Sequence, residues 1–411
     1  FQRISPDLTT NDKSKQKQEE SGGLSADNTS AENHCIIYSI AESPLDENLI
    51  WVGTDDGNIQ YTIDGGKNWN NVTANYSKSG VPAGTWVSSI QPSHFDKNVV
   101  YATFDNHTYG DMKTYLAKST DLGKNWQIIT SSEFRGHANK IIEDLKNKDM
   151  LFLGTEHGLF MTLDGGKKWV LMKNNIPEYL MTRDLVIHPK TNDLVIASHG
   201  RGILIVDNIS ILRELNSNIL DKDIYLFNSK PTNLTTGNYN LGGFPEGGGY
   251  TGNNVVELPE ITYYLKDRVN SGEVKIEIQD KDGKLIQSIP GSKRKGINKV
   301  TWNMRSAPPK VPTGGTKLDF GGFVGPLVMP GDYKVVLKVG DKTVENVITL
   351  NHDPNAKYTK EDREVQNLTT LELFKMSENL ADLNDQVINQ QKQLKDRLDK
   401  IKSDKNKKVL Q

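Results

Sequence analysis

Cysteine is all but missing from this sequence: Cys35 is the single one in 411 residues. That excludes a disulfide framework and a cysteine-rich zinc site. Beside Ile36 and Ile37, Cys35 reads as a small core residue. Long apolar runs are missing as well. None approaches the roughly 18 residues that a spanning helix needs, so no transmembrane segment is expected. An excess of either charge is also lacking. The 50 basic and 52 acidic residues leave a net charge of −2. Such a balance gives no electrostatic footprint for DNA or RNA, and no nucleic-acid partner is expected. No basic helix reads as a membrane-surface element. A signal peptide is not seen either, and the chain opens on Phe1 rather than Met. A processed or truncated protein has this appearance, so compartment does not follow from it.

What the sequence does have is repetition. "TIDGGKNW" at 62–69, "STDLGKNW" at 119–126 and "TLDGGKKW" at 162–169 share Ser/Thr, any residue, Asp, any residue, Gly, two of any residue, then Trp. The surroundings repeat too, from "IIYSIAESPLDENLIWVGTDDG" through "LVIASHGRGILIVDN", the last copy stopping before any box. Each unit reads as four short strands. A polar turn follows the first strand (Pro44–Asn48, Pro92–Asn98, Pro189–Asn192). A tight turn follows the second (Asp55-Asp56-Gly57, Glu156-His157-Gly158). The box lies between the third and fourth. Four-stranded units recurring at about 40–50 residues are propeller blades. The fold class is therefore mainly β, with propeller blades forming a partial ring over residues 1–206.

A catalytic aspartate is not needed three times over, whereas a turn is. Asp64, Asp121 and Asp164 can accept hydrogen bonds from the turn's own N–H groups. Gly66, Gly123 and Gly166 suit a left-handed backbone. Trp69, Trp126 and Trp169 can bury a large area between neighbouring blades. All nine are expected to be structural.

These boxes resemble the Asp-box (bacterial neuraminidase) repeats of sialidases, xyloglucanase-type tandem propellers and sortilin-type sorting receptors. With "RISPDLTTND", "SGGLSADNT" and "ITYYLKD" added, nearly the whole chain resembles large bacterial secreted proteins. Those carry a sortilin-like propeller and are often labelled glycosyl hydrolase. In that family "RISPDLT" directly follows a box aromatic, which puts Phe1 where a box Trp stands. The resemblance implies a secreted, cell-surface or periplasmic protein, of which this chain is a C-terminal part. It also implies that an immunoglobulin-like module follows the propeller.

Residues 207–254 read as a connector, because "TTGNYNLGGFPEGGGYTGNN" is too Gly-rich for a regular element. No helix follows Gly249, so a phosphate-cradling loop is not indicated. From Val255, alternation returns up to 352, with hairpin turns at "DKDGK" (280–284) and "VGDK" (339–342). That stretch has the size of an immunoglobulin-like β-sandwich, and the loop Ser306–Pro330 reads as an insertion. Residues 353–411 read as a helical, coiled-coil-like segment capped by Thr359, with Glu361 and Asp362 in its first turn. Leu373, Met376, Leu380, Leu383, Val387, Leu394 and Ile401 form its apolar stripe. A stripe of this kind needs a partner, which is a second helix, the sandwich or another chain.

In a propeller, the turn after the second strand and the link between blades share one face, which ligands use. Here that face carries Asp55, Asp56, Asp105, His107, Glu156, His157, His199 and Arg201. The inter-blade loops add Trp86, Glu133, Arg135, His137, Tyr179 and Arg183. Arg201, bracketed by glycines in "SHGRG", is the first choice for contacting an anionic ligand, with Arg183 as support; the bland reading is an ion pair that closes the ring. The ligand set is Arg201, His199, Arg183, Glu156, His157, Asp55, Asp56 and Trp86. Asp55-Asp56-Gly57 is equally a favoured hairpin turn. Arg135, Arg183 and Arg201 with Tyr179 invite a sialidase reading, but their spacing is not diagnostic. His107, His157 and His199 sit at no helical or hairpin ligand spacing, so neither a metal nor any other cofactor is expected. The expected role is binding a peptide, protein or glycan on this face. The alternatives are a glycoside hydrolase using the same face and a structural subunit of an envelope assembly. The missing N-terminal part of the same protein is a further possible partner.

Overall fold

The computed structural model describes residues 2–16, 34–234, 258–312 and 324–400. The chain forms two compact units, Phe1–Asn216 and Ser217–Gln411. The Gly-rich run at 235–254, the tip of the 306–330 loop and the charged run after Lys400 lie outside the described residues.

The first unit is built from antiparallel meanders. Strands β1 (Ile37–Ser43), β2 (Asp46–Thr54), β3 (Ile59–Thr62) and β4 (Asn70–Asn71) make one sheet. β5 (Trp86–Pro92), β6 (Val100–Asn106), β7 (Asp111–Ser119) and β8 (Gln127–Ile128) make the second. β9 (Ala138–Glu143), β10 (Leu151–Thr155), β11 (Gly158–Thr162) and β12 (Val170–Leu171) make the third. β13 (Thr182–Ile187), β14 (Leu194–Ser198) and β15 (Ile203–Val206) make a three-stranded fourth. The first strands β1, β5, β9 and β13 stand side by side in that order. This is the arrangement of blades about a propeller axis.

A middle strand between two packed sheets has no solvent face, and β6 is buried along its whole length. Its period of two sends Val100, Ala102 and Phe104 to a core shared with Trp51 and Ile59 of the preceding sheet and with Val87 of its own. Tyr101 points the other way, into a core with Ile141, Leu153 and Phe160. Asp105 falls on that second face, toward the third sheet. The strand's polarity pattern therefore decides where the site below is built.

The three boxes close their turns in one way. Thr62 Oγ1 donates to Asp64 at 2.7 Å, and Asp64 accepts from Asn68 N at 2.9 Å and Asn68 Nδ2 at 2.7 Å. Asp121 accepts from Ser119 Oγ (2.9 Å), Asn125 N (2.8 Å) and Asn125 Nδ2 (2.7 Å). Asp164 accepts from Thr162 Oγ1 (2.7 Å), Lys167 N (3.0 Å) and Lys168 N (2.9 Å). Each Trp Nε1 donates to the box glycine's carbonyl, at 3.0–3.1 Å. The glycines lie at φ 98°, 76° and 97°, where a Cβ is penalised. Leu122 replaces a glycine of the other two boxes at φ 56°.

The box glycines also fix how neighbouring segments meet. Gly123 faces Val72, and Gly166 faces Ile129; each partner is three residues past the preceding box Trp. Gly66 faces Ile4, three residues past Phe1. Residues 2–16 thus lie on the first sheet as the later inter-sheet segments lie on theirs. Leu8 is buried there, and its carbonyl accepts from Asn58 Nδ2 (3.0 Å) and Gln60 Nε2 (2.7 Å). Cys35 is not the core residue expected. It is half-buried in the loop before β1 at φ 73°, with Thr10 Oγ1 3.6 Å from its sulfur.

The first unit runs past Val206. Ile209 joins the core of the third and fourth sheets, and Arg213 grips the buried Asp144 through Nε (2.9 and 3.1 Å) and Nη2 (2.8 Å). In the second unit, β16 (Ile224–Leu226), β18 (Glu260–Leu265) and β21 (Gly296–Thr301) form one sheet. β17 (Thr232–Leu234), β23 (Lys342–His352), β22 (Gly331–Val339), β19 (Val274–Gln279) and β20 (Leu285–Pro290) form the other, in that order. Both sheets feed one core around Tyr263, Ile276, Trp302, Leu337 and Ile348. Turns with Gly283 (φ 79°) and Gly340 (φ 57°) join β19 to β20 and β22 to β23.

One helix covers Lys360–Lys400. Thr359 and Asp362 cap it reciprocally, Asp362 N donating to Thr359 Oγ1 (3.1 Å) and Thr359 N to Asp362 Oδ2 (2.9 Å). It buries Ala381 and otherwise docks through polar groups. Arg363, 3% exposed, donates to the carbonyls of Leu327 (2.8 Å) and Val328 (3.0 Å). Lys310 meets Asp382 (2.8 Å) and Asp385 (2.6 Å). The expected stripe stays exposed at Leu373, Met376, Leu380, Leu383, Val387 and Leu394.

Candidate functional site

A cleft of about 840 Å³ opens along the four first strands. β1 contributes Tyr38 and Ile40, β5 contributes Trp86 and Ser88, β9 contributes Asn139 and Lys140, and β13 contributes Arg183 and Asp184. His137, just before β9, and Glu156, in the β10–β11 turn, complete it together with Asp105, His107 and His199. Small residues let the sheets close up here. Gly53 abuts Val87, and Gly154 abuts Thr182.

The centre of the cleft is titratable. His107 Nδ1 lies 2.7 and 2.8 Å from the two Asp105 oxygens, and His107 N donates to Asp105 Oδ1 at 2.9 Å. The His137 ring stacks on His107 with centroids 4.8 Å apart and planes 24° from parallel. His137 Nε2 faces Asp105 Oδ2 at 3.5 Å, and His137 Nδ1 faces Glu156 Oε2 at 3.3 Å. Neither ring nitrogen makes a hydrogen bond, and Glu156 Oε2 makes none either. Burial pushes the His137 imidazole toward its neutral form, against the pull of Asp105 and Glu156. Each of Asp105, His107 and His137 offers a donor atom, all within 4.8 Å of one another. His157 and His199 are not part of this donor group; His107 is joined instead by Asp105 and His137. Asp105 and His107 are two apart at a strand end, a legible signal. His137 arrives from the neighbouring sheet, which no spacing discloses.

Around this centre, Tyr38 and Trp86 meet edge-to-face at 4.6 Å. Arg183 Nη1 donates to Asn139 Oδ1 at 3.2 Å, and Lys140 pairs with Asp184 at 3.1 Å. Of the expected ligand set, Trp86, Glu156, Arg183 and His199 line the cleft. Arg201 does not: it is exposed on the β14–β15 turn, outside the lining. His157 turns outward, 3.7 Å from Glu156 Oε2 and edge-on to Tyr179. Arg135 pairs with Glu178 at 3.6 Å, so Arg135, Arg183 and Arg201 do not share one pocket. Glu133 is exposed and also lies off the cleft.

Asp55 and Asp56 hold the chain together rather than face the large cleft. Asp56 is buried and accepts from Thr10 N and Thr10 Oγ1, both at 2.7 Å, and from Thr54 Oγ1. Burial works against its charge, but the Thr54 and Thr10 hydrogen bonds outweigh it and hold its pKa low. Asp55 accepts from Ile36 N at 2.8 Å, and burial raises its pKa. It lines a smaller cleft of about 380 Å³ with Lys15, His34 and Trp86.

No protein-family profile and no curated protein matches the sequence. Among solved structures, YCF48 from Cyanidioschyzon merolae is similar at 16% identity and a TM-score of 0.30, over 42% of this chain and 52% of that one. An ancestral GH74 enzyme is similar at 13% identity and a TM-score of 0.32, over 67% of this chain and 33% of that one. GH74 from Niastella koreensis is similar at 10% identity and a TM-score of 0.32, over 76% and 38%. The chain thus spans about half of that YCF48 and about a third of those enzymes. These neighbours are β-propeller-type proteins, and so loose a superposition transfers no ligand or activity.

Proposed function

We propose that the chain belongs to an extracytoplasmic, sortilin-like Asp-box propeller protein that binds a peptide, protein or glycan in the four-strand cleft. The second unit is then an immunoglobulin-like module with a helical extension. The observation that carries this reading is the make-up of the cleft wall. Flat rings (Tyr38, Trp86), cations (Lys140, Arg183) and carboxylates (Asp105, Glu156) converge on one concavity. Aromatic surface supplies area at little entropic cost, and the polar groups fix orientation. The test is retention of the full chain on immobilised peptide and glycan libraries, with Trp86→Ala and Arg183→Ala as comparisons. We expect one ligand class to be retained and each variant to lose at least about tenfold, at unchanged melting temperature. Equal retention of wild type and both variants overturns the cleft as the binding site.

A hydrolase is the second reading, favoured by one feature. Two carboxylates, Asp105 and Glu156, flank the buried His137, and glycosidic hydrolysis works with such a pair. Turnover separates the readings: a glycosidase cleaves the retained glycan and Glu156→Gln stops the cleavage, whereas a binding protein releases its ligand intact.

A further inference from the structure

His137 poses a problem that its own surroundings do not solve. Its side chain is 5% exposed, yet both ring nitrogens lack a hydrogen bond. Buried polar atoms almost always find a partner, and an orphaned one needs an explanation. Here two orphaned nitrogens belong to one ring, and two carboxylates press on it from opposite sides. The cluster gathers two carboxylates around one buried ring.

We propose that Asp105, His107 and His137 bind a divalent transition ion of the zinc class, with Glu156 holding His137 in the ligating tautomer. The donor atoms lie within 4.8 Å of one another. Ligands about 2.0–2.1 Å from a tetrahedral ion stand roughly 3.3 Å apart, so side-chain rotations close the shell without moving a strand. Two imidazoles and a carboxylate suit zinc or cobalt, and they disfavour magnesium and calcium, which take oxygen ligands.

The arrangement behind His137 argues for an ion rather than a bare ion pair. A ligating histidine characteristically gives its second N–H to a carboxylate, which fixes the ring and strengthens the donor. Glu156 Oε2 stands 3.3 Å from Nδ1, on the side of the ring away from Asp105. With the proton on Nδ1, the Nε2 lone pair is turned toward Asp105 and His107. The ion thereby satisfies Nε2, offsets the charge of Asp105 and replaces the proton that His107 Nδ1 shares with it. Three protein donors leave one tetrahedral position open to the cleft, which a water or a ligand oxygen can occupy. The site stands on these side chains alone and does not depend on which ligand fills the cleft.

The test uses the untagged full chain. Zinc chloride is titrated calorimetrically, and cobalt(II) is followed by its visible ligand-field bands. We expect one equivalent of each ion at micromolar or tighter affinity. Asp105→Asn, His107→Gln and His137→Gln should each weaken binding by at least tenfold. Glu156→Gln should weaken it by roughly 10- to 100-fold, as losing an outer partner does elsewhere. His188→Gln, outside the cluster, should leave the isotherm unchanged. If His137→Gln does not fold, His107→Gln decides, because its side chain is 42% exposed. No uptake by the wild-type chain overturns the site. So does uptake that survives His107→Gln and Asp105→Asn.

Discussion

A Cβ placed on Gly66 would lie 2.5 Å from the carbonyl oxygen of Ile4. Gly66 already sits at φ 98°, so any larger residue meets a strained backbone and a clash with main chain. Gly66→Ala is expected to cost more than about 2 kcal/mol, since the left-handed backbone alone costs about 1–2. Gly166 has nearly the same φ, 97°, but the nearest atoms to its added Cβ would be side-chain ones, Ile129 at 3.2 Å and Trp169 at 3.8 Å. Gly166→Ala should therefore cost less. Denaturant unfolding compares the two, and limited proteolysis shows whether residues 2–16 lift off in Gly66→Ala alone. Equal costs would mean that the Ile4 backbone moves aside freely.

Acid should loosen the box turns. Hydrogen bonds from Asn68 hold the Asp64 pKa down to about 2. Asp121 and Asp164 are lowered too, their turn N–H and hydroxyl donors outweighing burial. A carboxylate whose pKa is depressed on folding stabilises above its unfolded pKa, near 4, and that contribution fades as pH falls toward the folded value. Melting temperature should thus drop between about pH 4 and 2, and Asp121→Ala should flatten the drop. At neutral pH the same substitution should lower the melting temperature by about 2–4 °C, which corresponds to ~1 kcal/mol in a unit of this size. Any ligand binding of the folded chain should persist. Loss of binding at unchanged stability would give the box a role beyond the turn.

Period-two patterning and turn chemistry are local, and so the strands and boxes could be read from residues such as Asp64, Gly66 and Trp69. The cleft is not local. It is made where four first strands meet, and a residue's place in it depends on the sheet next door. Trp86 and Arg183 could be named from their loops, and they do line the wall. Spacing within a strand says nothing about His137, 30 residues from His107 in sequence but stacked on its ring. Asp56 looked like a candidate for the same face. Its hydrogen bonds to Thr10, 46 residues away, could not be foreseen from a hairpin motif.

Asp144 is wholly buried and receives Arg213 in a bidentate grip, while its Oδ2 also accepts from Lys146 N and Asn147 N, both at 2.8 Å. Removing one partner of such a pair strands the other charge. Arg213→Met should destabilise the first unit by about 3–5 kcal/mol. Arg213→Lys should rescue little, because an ammonium cannot reproduce two parallel N–H bonds. Asn192, which accepts from Arg213 Nη1 at 2.6 Å, would be left unpaired in both. Chemical denaturation of the full chain should show one transition shifting and any other holding. An Arg213→Lys chain as stable as wild type would show that charge alone, not the fork, secures residues 207–216.

Arg183 and Arg201 should part company toward an anionic ligand. Gly200 (φ 79°) and Gly202 (φ 71°) turn the chain sharply at Arg201 and leave its side chain exposed. No ion pair is formed by Arg201 among the described residues, and it lies off the cleft lining. Arg183 is on the wall, its guanidinium steadied by Asn139. Asn139 is itself buried and anchored by Nδ2 to the Thr182 carbonyl at 3.0 Å. A fork held in place loses less entropy on meeting a carboxylate than a free one does. Arg183→Lys should therefore weaken an anionic cleft ligand by about tenfold, equivalent to 1.4 kcal/mol, with the melting temperature unchanged. Arg201→Lys should alter neither quantity. The measurement is a binding isotherm and a melting curve for each variant with the ligand class that the library screen returns. Weaker binding by Arg201→Lys, with Arg183→Lys unaffected, would move the anion contact out of the cleft and onto the β14–β15 turn.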